Sequence, residues 1–409
     1  MHFDIYQSVA LGVLALSAGG FLNKRIPLLG RLCLPSAVTG GLLFSLITLT
    51  IYCIWGIKVE FDETVKNLCM TMFFTSVGFQ ADFTLLRKGG KALAIMVGLV
   101  SALIICQNLL GVGLAKAFGE SALLGVAIGS IPMCGGHGTA GGFSAMLSQM
   151  GLASASSVTM AAATFGLVAG SLLGAPLASS LITKRKLSCP PAADDSDDGI
   201  RDAATSAAQT EVNPILEEKS IESVSKKAAA VFAIFVSMGL GTLMNKALSA
   251  LGISFPTYFG SLLVAAIIRN ATEIIPRCPK LPVRQISGVG GIALSIFLGI
   301  AMISLKLWEL ADLALPLVGI LAGQILLMWI FARFIAMPLL GGDYNAAVLI
   351  GGLCGFGLGA TPNAMANMEA VCTKHGYSTL PFVVVPLVGA IFVDIINVSV
   401  ITVFLNLIG

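Results

Sequence analysis

Charge is scarce in this chain. Asp, Glu, Lys and Arg make up 11% of its 409 residues, against roughly 25% in soluble domains, and there are three histidines. That excludes a soluble core with a charged shell; 56% hydrophobic residues and a mean hydropathy of +0.93 describe a polytopic membrane protein. A net charge of +3 is too small to recruit nucleic acid. The nine cysteines, Cys33, Cys53, Cys69, Cys106, Cys134, Cys189, Cys278, Cys354 and Cys372, never form a Cys-x-x-Cys pair, which argues against a disulfide framework and a zinc site. No basic stretch precedes the first apolar segment and no small-residue cleavage site follows it, so that segment is expected to stay as a membrane span. Trp55, Trp308 and Trp329 fall towards span ends and read as interfacial anchors.

Hydropathy predicts spans at about 5–22, 37–56, 66–82, 92–117 and 155–183, and a second series at about 227–250, 256–271, 287–305, 311–337 and 376–407. Each is near the roughly 20 residues that a bilayer core requires. An extra, broken apolar segment lies in each series, at 121–149 and 344–372. Between the series, 187–225 is polar, with the acidic run Asp194-Asp-Ser-Asp-Asp198, and reads as a flexible linker. The expected organisation is a membrane repeat at 1–186, a cytoplasmic linker at 187–225 and a second membrane repeat at 226–409.

Loop charge orients the chain. Lys24, Arg25 and Arg31, then Arg87, Lys88 and Lys91, then Lys184, Arg185, Lys186, Lys226 and Lys227 fall on one side only if 121–149 enters the membrane and returns to the side it left. The same parity puts Arg269, Arg277, Lys280, Arg284 and Arg333 in the cytoplasm and both termini outside it. His2 and His375 are expected at the surface.

The two series align. Pro35 matches Pro256, Leu42 matches Leu262, Gly135 matches Gly357, Thr139 matches Thr361, Met146 matches Met368 and Gly166 matches Gly389, at offsets of 220 to 223 positions. With about five crossings per half, an odd number, the second copy lies inverted. The expected fold class is therefore an all-α polytopic membrane protein of two inverted-topology repeats, each of about five transmembrane helices plus one re-entrant or broken helical segment. Such repeats build transporters whose broken segments meet near the bilayer midplane.

The broken segments carry the chemistry. The first reads Ser130-Ile-Pro-Met-Cys-Gly-Gly-His-Gly-Thr-Ala-Gly-Gly142 and the second Gly351-Gly-Leu-Cys-Gly-Phe-Gly-Leu-Gly-Ala-Thr-Pro-Asn363. A broken helix offers unpaired N–H groups at one end and unpaired carbonyls at the other, so it can take a carboxylate and a cation together. Gly135, Gly136, Gly138, Gly357 and Gly359 let backbone approach a ligand. Ser130, Thr139, Thr361, Asn363 and Asn367 add hydroxyl and amide contacts. His137 is the one ionisable side chain in either segment and reads as a structural residue or a direct substrate contact. Gly141, Gly142, Gly351 and Gly352 serve packing or ligand approach equally well. Gln80 and Gln107 read as interhelical hydrogen-bonding residues.

Asp394 sits well inside the last span without a basic neighbour, where a carboxylate costs about 2.5–3.5 kcal/mol on insertion scales. It is expected to face a cation, a substrate ammonium group or a polar cavity. Asn397 lies three residues on, along the same helical face. Asp82 and Glu120 read as interfacial. The spacing Cys134-x-x-His137 also invites a hydrolase using Cys134 or Ser130, but it has no third orienting group and does not need a duplicated segment. A lone deep carboxylate argues against a proton/sodium antiporter, and conductance without saturation would mark a passive channel. The residues alone give a transporter for a small polar or anionic substrate.

At these positions the chain resembles the bacterial sodium/glutamate symporter family. The resemblance rests on Gly135-Gly-His-Gly-Thr139, on Cys354-Gly-Phe-Gly-Leu-Gly-Ala-Thr-Pro362 with Ala366-Asn-Met368, and on Val384-Val-Pro-Leu-Val-Gly389 with Asp394-Ile-Ile-Asn397. It extends through Met302-Ile-Ser-Leu-Lys-Leu-Trp-Glu-Leu310 and Ala163-Thr-Phe-Gly-Leu-Val168 to nearly the whole chain outside the linker. Cys134 and Asn363 stand where relatives often carry hydroxyl residues. The resemblance implies sodium-coupled uptake of L-glutamate across the bacterial inner membrane by a homodimer, with sodium as coupling ion and no other cofactor. On that basis glutamate is expected between the broken tips, held by backbone N–H groups, Thr139 and Thr361. Sodium is expected at Asp394, Asn397 and Thr361. A sodium- or proton-coupled carrier of another carboxylate, such as a dicarboxylate or citrate, is the alternative.

Overall fold

The computed structural model describes residues 2–31, 34–81, 90–189, 221–250, 255–275, 281–311 and 313–408. Most of the expected linker, together with Asp82, Arg87, Lys88, Arg277 and Lys280, lies outside the described residues. Helices dominate, as the hydropathy requires. The one strand pair among the described residues joins His2–Phe3 to Glu60–Phe61 in parallel, with the Phe3 and Phe61 rings stacked 5.3 Å apart.

The first half forms α1 (Ile5–Arg25), α2 (Ser36–Trp55), α3 (Thr64–Gln80), α4 (Gly90–Ala117), the short α5 (Ala122–Ala127) and α6 (Ser130–Met133), then α7 (Gly136–Gln149) and α8 (Ala155–Arg185). The second half forms α9 (Ile221–Ala250), α10 (Phe259–Ile274), α11 (Val283–Ile303), α12 (Ala314–Ile330), α13 (Tyr344–Leu358), α14 (Thr361–His375), α15 (Thr379–Leu387) and α16 (Asp394–Ile408). Wider π turns at Phe331–Ala336 and Val388–Val393 interrupt the helical stretches after α12 and after α15. Among the described residues seven helices are long and apolar enough to cross a membrane. Three expected spans are not among them. α3 and α10, at 17 and 16 residues, reach only about 24–26 Å at 1.5 Å per residue, and the last span is divided by its π turn.

Two compact units cut across the sequence halves. The first, built from residues 1–27, 35–83 and 209–308, contains α1 to α3 and α9 to α11. Its helices are drawn together by a Phe74–Tyr258 ring stack at 3.9 Å and by the Ser45 hydroxyl, which donates to the Met302 carbonyl at 2.7 Å.

The second unit, built from residues 28–34, 84–208 and 309–409, contains α4 to α8 and α12 to α16. α13 and α14 pack against each other as a hairpin, and α5 to α7 form a second, more broken one. The α13–α14 hairpin rests on α8 because α8 presents glycines at i, i+4 and i+8. A Cβ added to Gly166 would lie 2.2 Å from the Leu358 carbonyl, one on Gly170 3.2 Å from the Cys354 carbonyl, and one on Gly174 2.1 Å from the Asn367 amide. Such a stripe lets helical backbones approach closely within a membrane.

Candidate functional site at the tips of two broken hairpins

All the side chains expected to bind ligand lie in the second unit. In the first hairpin the chain breaks between Met133 and Gly136, where Gly136 takes φ +59° and so requires a residue free of the left-handed penalty. In the second it breaks at Gly359 and extended Ala360, and Pro362 opens α14, where its missing N–H removes no helical bond. The two breaks meet: a Cβ on Gly136 would lie 2.9 Å from the Gly359 carbonyl oxygen. Neither α7 nor α14 has a side-chain cap at its N-terminus. Their first-turn N–H groups and helix dipoles give each tip a partial positive charge, roughly half an elementary charge per helix.

Polar side chains buried around the tips hold them from several helices. Ser130 is fully buried and engaged twice by Asn108, whose Nδ2 donates to its hydroxyl at 2.8 Å and whose Oδ1 accepts from its backbone N–H at 3.0 Å. Asn397 Nδ2 donates to the Ser130 carbonyl at 3.1 Å. Asn363 Nδ2 donates to Leu167 O at 2.8 Å and Ser171 Oγ at 3.0 Å, while Asn367 Nδ2 donates to Gly170 O at 3.0 Å and Gly351 O at 3.2 Å. The amide donors of Asn363, Asn367 and Asn397 therefore hold hairpins to neighbouring helices. Among the described residues, what stays unpartnered around the tips is oxygen: Thr139 Oγ1, Asn363 Oδ1, Asn397 Oδ1 and Gln324 Oε1 are buried with no hydrogen bond.

Asp394 follows directly on the π turn, half-buried, and no hydrogen bond or ion pair reaches its carboxylate among the described residues. It lies within electrostatic reach of Cys134. Thr361, at the start of α14, sits against the same π turn, since a Cβ on Gly389 would meet its hydroxyl at 2.7 Å. Thus Asp394, Thr361, Asn397 and both tips belong to one region of one unit. The described residues contain no cluster of three or more His, Cys, Asp or Glu side chains suited to a transition metal.

His137 is buried, and its Nε2 lies 3.0 Å from Thr164 Oγ1. Thr164 directs its own hydroxyl to Met160 O, so its oxygen accepts and His137 Nε2 is the protonated nitrogen. The Cys134 thiol points instead to Gln107 Oε1 at 3.2 Å and Gly357 O at 3.6 Å. Cysteine and histidine therefore engage different partners, which removes the geometry a hydrolytic dyad needs. Gly357 joins the site through this carbonyl, while Gly135 closes on Thr139, whose hydroxyl would lie 2.5 Å from a Cβ placed there. Gly138 continues the first turn of α7.

The expected interhelical role holds for Gln107 and fails for Gln80, whose amide turns back to Ser76 O in its own helix. His375, the last residue of α14, is half-buried where a surface position was expected; His2 is exposed. Asn108, Thr164 and Gln324 were not anticipated. Each is a polar residue inside an apolar span, the signal that singled out Gln107.

Comparison with known proteins shows what the sequence is similar to. A family model described as sodium/glutamate symporter matches residues 1–377. The chain is 36% identical to the sodium/glutamate symporter of Escherichia coli (strain K12) over 99% of its own length and 98% of the relative's. It is 37% identical to that of Haemophilus influenzae (strain ATCC 51907 / DSM 11121 / KW20 / Rd) over 97% and 96%. A multi-pass helical chain whose paired broken hairpins fall within a match of nearly full length belongs to the sodium/glutamate symporter family.

Proposed function

We propose that this chain is a secondary active transporter that carries L-glutamate into the cell together with sodium by alternating access. The observation that carries the reading is the meeting of the two broken tips, Gly136 against Gly359, in the region of Asp394, whose carboxylate has no partner among the described residues. Glutamate binds between the tips, its carboxylates taken by the first-turn N–H groups of α7 and α14 and by the hydroxyls of Thr139 and Thr361. The ligands for sodium come from Asp394, Asn397 and Thr361, and the unpartnered amide oxygens of Asn363 and Asn397 suit a hard cation that prefers oxygen. Ser130 and Asn367 act through the frame, since their polar groups brace the hairpins.

In this proposal the halves 1–186 and 226–409 are inverted repeats joined by a cytoplasmic linker at 187–225. The carrier is a homodimer in the bacterial inner membrane, with both termini on the periplasmic or extracellular face. Support comes from the constant 220 to 223 offset, from loop charge and from membership of the family. Sodium bound first arranges the tips and raises affinity for glutamate, and linkage demands the reverse effect in equal measure.

The test is uptake of labelled L-glutamate into proteoliposomes holding the purified chain, with an inward sodium gradient or with choline in its place. Sodium-dependent accumulation is expected, and equal uptake in choline would remove the coupling. Strong competition by citrate or a dicarboxylate, with weak competition by unlabelled glutamate, would instead assign the carrier to another carboxylate.

A further inference from the structure

In the second unit the Gln107 side chain, from a helix outside both hairpins, bonds to each of them. Gln107, fully buried in α4, donates from Nε2 to the Gly357 carbonyl at 2.7 Å and accepts the Cys134 thiol on Oε1 at 3.2 Å. Gly357 is two residues before the break at Gly359, and Cys134 is two before Gly136. Gly357 also lies in the last turn of α13, where carbonyls have no donor from their own helix, so Gln107 supplies the bond that the break removes. Gln324 in α12 mirrors it. Its Nε2 donates to the Gln107 backbone carbonyl at 2.9 Å and to the Ile128 carbonyl of the first hairpin at 3.4 Å. Each half thus sends a glutamine from a long helix to a backbone carbonyl in the hairpin of the other half.

We propose that Gln107, braced by Gln324, is a positioning residue that couples the two hairpins, so that sodium bound at Asp394, Asn397 and Thr361 is felt as affinity for the glutamate held between both tips. The inference rests on the symport reading above. Coupling between sites requires an element that both ligands bias. A side chain with one hydrogen bond to each tip is such an element, because displacing either tip breaks a bond that holds the other. A packing residue would need no polar groups here, and an isolated interhelical hydrogen bond would not reach both breaks.

The experiment compares wild type, Gln107→Met and Gln107→Glu in proteoliposomes, titrating sodium at fixed labelled glutamate and glutamate at saturating sodium. Met removes both bonds, whereas Glu keeps an acceptor for the Cys134 thiol and, when ionised, loses the donor to Gly357. With glutamate titrated also at low sodium, we expect the half-saturating sodium concentration and the KM for glutamate at saturating sodium to rise together, each about tenfold in both variants, as the reciprocity of coupling requires, while the KM for glutamate at low sodium stays near the wild-type value. An unchanged sodium dependence, or a uniform fall in rate at every sodium concentration, overturns the proposal. So does loss of folded carrier in both variants, which assigns Gln107 to packing. Wild-type uptake that ignores sodium overturns the symport reading instead, so the two failures are distinct.

Discussion

Asn397 and Ser130, 267 positions apart, are joined by a 3.1 Å hydrogen bond from the asparagine side chain to the serine carbonyl, and this leaves the asparagine's own oxygen buried and unpartnered. The amide has two functions: the nitrogen ties α16 to the first hairpin and the oxygen is free for a cation. Asn397→Ala removes both and Asn397→Asp keeps only an oxygen ligand. Loss of the bond should lower stability by about 1 kcal/mol, and loss of a sodium ligand should raise half-saturating sodium about tenfold for each ~1.4 kcal/mol removed. Sodium titration of glutamate uptake checks this; Asp should retain more sodium affinity than Ala, and equal behaviour of the two would take the oxygen out of the site.

Much of this arrangement was legible in the residues. Breaks at Gly135–Gly136 and Gly359–Ala360 follow from glycine density beside Pro132 and Pro362, and seven of the ten expected spans coincide to within a few residues with helices long and apolar enough to cross a membrane. The division into compact units was not legible, since nothing local in α3 or α11 tells which helices each will pack against. Donor use was equally hidden. Asn363 and Asn367 read as ligand contacts because amides in broken segments often are, but the glycines of α8 bring its carbonyls close enough to take those donors. Gln324 escaped notice because one amide in an apolar helix carries no sign of its partner.

Gly136→Ala tests the contact between tips. The substitution places a Cβ on a residue with φ +59° and 2.9 Å from the Gly359 carbonyl, adding about 1–2 kcal/mol of backbone strain to the steric displacement. Glutamate uptake should fall at least tenfold while the solubilised protein still elutes as folded carrier; full activity would mean that the tips do not meet during transport.

Gly166→Ala tests the seat of the second hairpin, and Gly113→Ala is its control. A Cβ on Gly166 meets the Leu358 carbonyl at 2.2 Å, whereas one on Gly113 has nothing within 4 Å. Overpacking of this kind costs about 1–3 kcal/mol, so Gly166→Ala should lower the thermal midpoint of the purified protein and Gly113→Ala should leave it unchanged.

Cys134→Ala separates transport from covalent chemistry. The thiol donates only weakly to Gln107 and Gly357, and Gly357 keeps its shorter bond from Gln107. At saturating sodium and glutamate, counterflow of labelled glutamate should stay within about twofold of wild type, because transport uses no thiol nucleophile, while any rise in half-saturating sodium reports the lost bond to Gln107. Abolished transport in a folded protein would return the cysteine to the centre of the chemistry.

Asp394→Asn opposes stability and function in a single substitution. The carboxylate has no protein partner among the described residues, and a charge at depth in a span costs about 2.5–3.5 kcal/mol. Asparagine has nearly the same shape without that penalty, so the variant should be as stable as wild type or more so. A carboxylate kept against this cost is retained for its ligand, and removing it should abolish sodium-driven accumulation of glutamate. Thermal unfolding and uptake are measured on the same preparation. A destabilised variant would mean that Asp394 is satisfied by the protein itself, and normal sodium-dependent uptake would remove it from the cation site.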